Sequence, residues 1–70
     1  MREYVANKVY LFRKDMGVIQ EDFANAIGVS RQTVVAIEKG NYTPSLLLGL
    51  KIAKYFKKAV EEVFVYTYEK

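Results

Sequence analysis

Along residues 7–16 the apolar side chains Val9, Leu11, Phe12 and Met16 recur at helical spacing, with Asn7 placed as an N-cap and Gly17 as a left-handed terminator. A second helix is expected over residues 20–27. There Phe23, Ala24 and Ile27 share one face, and Glu21 and Asp22 occupy the first turn, where they complement the positive end of the helix dipole. Gly28 closes it. Ser30 then offers an oxygen to the free amides of a third helix over residues 31–39, whose inward stripe is Val34 and Ile37 and which Gly40 stops. Thr43 is the expected cap of a fourth helix that begins at Pro44, where a missing amide costs nothing, and runs to about Phe56. Its inward positions are Leu46, Gly49, Ile52, Ala53 and Phe56, while Lys51, Lys54 and Lys58 fall on the opposite, solvated side.

The period then changes. A last helical turn or two at residues 60–63 leads into Phe64-Val65-Tyr66-Thr67-Tyr68, a β-branched and aromatic run that reads as a strand. A single strand needs a partner, and Arg2-Glu3-Tyr4-Val5 is the candidate within the chain, so the two terminal segments are expected to pair as a small antiparallel sheet. The predicted fold is mainly α: five helices and this sheet in a single domain over residues 1–70.

Length agrees with that. Seventy residues, 51% of them hydrophobic and 27% charged, support one compact core and no second one. With no Cys and no His, the sequence lacks thiolate and imidazole metal sites, disulfides, and the nucleophile–imidazole pairs of many hydrolases, and no cofactor is expected. The remaining acid–base groups, carboxylates and tyrosine hydroxyls, form no cluster along the sequence, so an enzyme is a remote reading. The first residues are charged, and the longest apolar run, residues 46–50, falls far short of the ~20 residues of a membrane span. A cytoplasmic chain with no membrane partner is expected. The net charge of +3 favours an anionic partner weakly.

What distinguishes the chain is the order of residues 20–40. Two short helices that cross steeply through a turn of a few residues need a small side chain at their contact, as at Ala24, and a turn residue tolerant of positive φ, as at Gly28. Val29 fills the space under the turn, and Val34 with Ile37 packs the second helix of the pair onto the core. This is a helix-turn-helix, and it leaves Arg31, Gln32, Thr33, Val35 and Ala36 projecting outward. Arg can grip guanine O6 and N7 in a fork, Gln can pair with adenine N6 and N7, and Val35 or Ala36 can touch a thymine methyl. Thr33 suits a cap or a phosphate as well as a base. Gln20 and the free amides at the start of its helix suit one phosphate, and Ser30, Lys39, Asn41 and Tyr42 flank the second helix where further phosphates would lie.

These residues resemble the Cro/C1-type (Xre) helix-turn-helix family of transcription regulators, with the lambda repressor-like fold. The resemblance runs over about residues 7–64. Gly28-Val29-Ser30-Arg31-Gln32-Thr33-Val34, Ile37-Glu38-Lys39-Gly40, Tyr42-Thr43-Pro44-Ser45-Leu46 and Glu61-Glu62-Val63-Phe64 carry it. It implies a five-helix domain that binds double-stranded operator DNA as a homodimer, and it is similar to the small subset whose C-terminal strand pairs with the N-terminal segment. It also implies that Arg13 and Glu38 form an internal ion pair, against the alternative that Arg13 meets a phosphate. The apolar C-terminal segment, with Val63, Val65, Tyr66 and Tyr68, is the expected dimer contact. Departures from the family pattern are Ile19 where a capping Ser or Thr is usual, Gly49 for Ala, Lys57 for Gly and Ala59 for Ser.

The leading expectation is a sequence-specific regulator, simplest as a repressor of an inverted-repeat operator, though the same surface could activate by touching RNA polymerase. The alternative is a protein-interaction module, such as an antitoxin-like partner, built on the same fold. The polar face at Arg31 and Gln32 separates the two, because a protein-binding face would be apolar or acidic.

Overall fold

The computed structural model describes residues 1–70, in the order β1 (Arg2–Asn7), α1 (Val9–Met16), α2 (Gln20–Ile27), α3 (Arg31–Glu38), α4 (Leu46–Phe56), α5 (Val60–Val63) and β2 (Phe64–Glu69). The five helices enclose one core. Val9, Phe23, Ile27, Ile37, Ile52 and Val63 are fully buried at its centre, each from a different helix except for the pair on α2. Phe23 stacks on Phe56 with ring centroids 5.2 Å apart, and Tyr55 meets Phe23 edge-on at 5.1 Å, so α2 and α4 are joined by aromatic contact. On α1, Val9 and half-buried Phe12 face this core, whereas Leu11 and Met16 lie on its outer side.

The start of α4 differs from the sequence expectation. Ser45, not Thr43, is the N-cap: its Oγ accepts the Leu48 amide at 3.1 Å, and Pro44 precedes the helix instead of opening it. The inward stripe is therefore Leu48, Gly49, Ile52, Ala53 and Phe56. Leu46 has the right angular phase for that stripe, but the first turn of α4 extends past the core, and the side chain is 75% exposed. It borders an open apolar groove of about 150 Å³ whose walls include Val5, Pro44, Val60 and Phe64.

At the other end of α4, Lys57 takes the left-handed conformation, with φ 58° and ψ 43°, so that the Lys58 amide can return to the Ala53 carbonyl at 3.0 Å. Ala59, which cannot cap α5 with its side chain, keeps half of a capping box: its own amide donates to Glu62 Oε1 at 2.9 Å.

The terminal segments pair antiparallel, from Arg2 opposite Glu69 to Asn7 opposite Phe64. Arg2 Nη1 reaches Glu69 Oε1 at 3.0 Å, and the Tyr66 hydroxyl donates to Glu3 Oε1 at 2.6 Å, which holds that phenol above its ordinary pKa. Alternation along β2 puts Tyr66 and Tyr68 on one face of the sheet and Val65 on the other. Val63 is a correction to the expected dimer strip. It is 0% exposed, inside the core, because it ends α5 and precedes the strand.

Candidate nucleic-acid interface

The turn between α2 and α3 is built as the sequence suggests. Gly28 has φ +79°, a conformation that side chains rarely adopt, and the Val29 amide returns to the Ala24 carbonyl at 3.0 Å. Ala24 is buried where the helices meet, and Val29 is half-buried under the turn. A Cβ built on Gly28 would lie 3.4 Å from Lys51 Nζ, so this lysine of α4 lies over the turn, at the negative C-terminal end of α2. Sequence alone assigns Lys51 to a solvated face, since nothing local to α4 signals its reach to another element.

Helix α3 is capped by Ser30, whose Oγ accepts the Thr33 amide at 3.2 Å and lies 3.0 Å from Thr33 Oγ1. Ser30 and Thr33 thus satisfy each other at the start of the helix, one as cap and one as its partner. Arg31 and Gln32 are exposed to solvent, and Thr33, Val35 and Ala36 are half-buried along the same flank. Lys39 follows the helix in αR conformation, and Asn41 and Tyr42 are exposed, with the Asn41 amide bound back to the Ala36 carbonyl at 2.9 Å.

The far end of α3 is fixed by three other elements. Arg13 of α1 grips Glu38 as a fork, Nε to Oε2 at 2.7 Å and Nη2 to Oε1 at 3.1 Å, while its Nη1 donates to the Val18 carbonyl at 2.8 Å. Both side chains are buried, at 8% and 6% exposure. The hydrogen bonds to Glu38 hold the Arg13 guanidinium above its already high ordinary pKa. Gln20, the first residue of α2, is half-buried and donates through Nε2 to Glu38 Oε1 at 3.0 Å. Asn7, read from sequence as the N-cap of α1, lies one residue before it: Lys8 takes the cap position with no side-chain bond, while Asn7 accepts the Val9 amide at 3.1 Å and also donates to the Ile37 carbonyl at 2.9 Å. Neither the Gln20–Glu38 contact nor the Asn7–Ile37 contact has a sequence signal, because each joins residues that only the tertiary fold brings together.

The arrangement is a short helix bonded to other elements at its C-terminal end and packed on the core through Val34 and Ile37, with Arg31 and Gln32 of its first turn exposed. That first turn can enter a groove and offer Arg and Gln forks to base edges, while the amides at the start of α2 remain for a phosphate; those of Lys39, Gly40 and Asn41 are taken up by carbonyls of α3, so that turn has its side chains to offer. No group of three or more carboxylates comes together that could hold a metal, and no helix is long and apolar enough to cross a membrane.

The helix-turn-helix family model matches residues 9–63. An uncharacterized HTH-type transcriptional regulator of Methanocaldococcus jannaschii is 52% identical over 86% of this chain and 91% of its own length. The cryptic phage CTXphi transcriptional repressor of Vibrio cholerae is 34% identical over 83% of this chain and 52% of that protein. Among solved structures, a restriction-modification controller protein from Aeromonas hydrophila superposes with a TM-score of 0.72, at 29% identity, over 79% of this chain and 80% of that one. With its two core helices, its glycine turn and its bundle all in the matched region, the chain belongs to the Cro/C1-type helix-turn-helix family.

Proposed function

We propose that this protein is a sequence-specific DNA-binding repressor that acts as a homodimer on an inverted repeat. The observation that carries the reading is the exposed, polar N-terminal half of α3, where Arg31 and Gln32 have no partner within the chain to occupy them. Arg31, Gln32 and Thr33 read bases, with Val35 and Ala36 available to thymine methyls. Gln20 gives one N–H to Glu38 and keeps a second for a phosphate, and the exposed Ser30, Lys39, Asn41 and Tyr42 on either side of α3 supply further phosphate contacts. Two-fold symmetry would set the half-sites about one helical turn (~34 Å) apart. Repression has the support of the Vibrio cholerae phage relative, and occlusion of a promoter is the mechanism that needs nothing beyond tight binding.

Selection of bound duplexes from a random pool at near-physiological salt tests this, since salt sets the non-specific background. Enrichment of an inverted repeat, with base preference at one position of each half-site relaxed by Arg31→Ala at a cost of about 1–3 kcal/mol, is the expected result. Binding that follows salt alone, with no enriched sequence, would sink the reading and turn attention to a protein partner.

A further inference from the structure

Asn7 makes two hydrogen bonds with two different tasks. Its Oδ1 fastens the first turn of α1, and its Nδ2 donates to the carbonyl of Ile37, in the last turn of α3. Asn7 is also the last residue of β1, paired opposite Phe64, and the next amide, that of Lys8, donates to the Val63 carbonyl at 2.9 Å. The other side-chain hydrogen bonds of the sheet, from Arg2, Tyr66 and Thr67, stay within it. One half-buried amide therefore ties the terminal sheet to the recognition helix.

Its position gives that tie leverage. Arg31 stands six residues from Ile37, or about 9 Å along the axis at ~1.5 Å per residue. A tilt of about 6° at the clamp moves the reading end by about 1 Å, more than the roughly 0.5 Å window of a good hydrogen bond. At the N-terminal end Val34 packs α3 onto the core, but Ser30 bonds to nothing outside the first turn, so the polar contacts that set the angle of the helix lie at its C-terminal end.

We propose that Asn7 is a positioning residue for α3: its side-chain amide fixes the angle at which the helix leaves the terminal sheet and so the presentation of Arg31 and Gln32. This rests on the reading of α3 as the base-reading helix. Phosphate contacts, dominated by charge, tolerate a change of angle that paired base contacts do not.

Two variants of the full chain separate the two bonds. Asn7→Ser keeps an oxygen for the Val9 amide and is too short to reach Ile37. Asn7→Asp keeps that oxygen and has no N–H to give, and it decides the matter should the serine variant not fold. Amide hydrogen exchange is followed at Lys39, Gly40 and Asn41 and, as an internal control, along α4. Affinity is measured for the enriched duplex and for a shuffled duplex at one salt concentration. Exchange at the end of α3 about tenfold faster with α4 unchanged, and a specific-to-shuffled affinity ratio about tenfold lower with shuffled binding intact, is the expected result. Unchanged exchange, or faster exchange with an unchanged ratio, overturns the proposal and leaves Asn7 a fastening for the first turn of α1 alone. Failure of the unmodified protein to distinguish the duplexes sinks the reading of α3 itself, and the proposal with it, and is told apart because the defect precedes any substitution.

Discussion

Arg13 and Glu38 hold the largest electrostatic stake of any residue pair in the chain, because both are buried and they meet in a two-point fork. Removing one partner leaves an unpaired charge in a low-dielectric site, a loss of about 3–5 kcal/mol. A domain of this size has on the order of 4–10 kcal/mol in total. Arg13→Ala should therefore bring the protein close to unfolding at ambient temperature, read by thermal or denaturant melts. Replacing both, Arg13→Met with Glu38→Leu, should recover most of that stability, since neither charge then stays buried alone. Stability unchanged by Arg13→Ala, with DNA binding lost, would show instead that the guanidinium serves a phosphate. The pair was legible in the sequence through family resemblance alone, as 25 residues separate its members and no local pattern links them. Val63 shows the converse error. An apolar residue beside an exposed apolar strand reads as part of it, yet its place at the end of α5 turns it inward.

At the scale of elements, helix lengths and most ends followed from periodicity and from the glycines, because those signals are local. The start of α4 did not, for a physical reason: Thr43-Pro44-Ser45 offers two capping residues around one proline, and both choices are chemically sound. In the structure Ser45 takes the cap, with its Oγ on the Leu48 amide, and Pro44 stays outside the helix. Helix α4 also carries two unfavourable residues whose replacement should help. Lys57 bears steric strain in the left-handed region, and Lys57→Gly should stabilise by about 1 kcal/mol. Gly49 is buried in the helix, where a Cβ would meet the Phe64 ring at 3.7 Å, an ordinary contact. Gly49→Ala should thus gain up to about 1 kcal/mol of helix propensity. Each change should raise the melting temperature by roughly 4–8 °C per kcal/mol. A fall on Gly49→Ala would mean that the Phe64 ring cannot give way at all.

For the molecule as a whole, the terminal sheet and α3 lie on one connected frame, and the sheet is the proposed seat of the second subunit. Tyr66 and Tyr68 on one face and Val65 on the other leave exposed aromatic or apolar surface on each face of β2. Val65→Lys with Tyr68→Lys charges both, while the lysine introduced by the second change faces Glu3 across the ladder, so the sheet itself should persist. Sedimentation should show a dimer becoming a monomer, with affinity for the two-half-site duplex reduced by about 100-fold or more and half-site binding kept. An unchanged dimer would move the interface elsewhere, with the exposed Leu46, Leu47 and Leu50 of α4 as the next surface. The family fold and the exposed polar face of α3 were legible before the structure because they depend on short-range order; the frame that holds that helix was not, since its bonds cross from β1, α1 and α2 to a single helix end. The polar bonds gathered at one end of α3 have a practical consequence. Arg31 and Gln32 contribute nothing to the core, so under the proposed function the chain is a handle with an exchangeable bit: new side chains at those two positions should redirect it to other DNA sequences without retooling the part that folds.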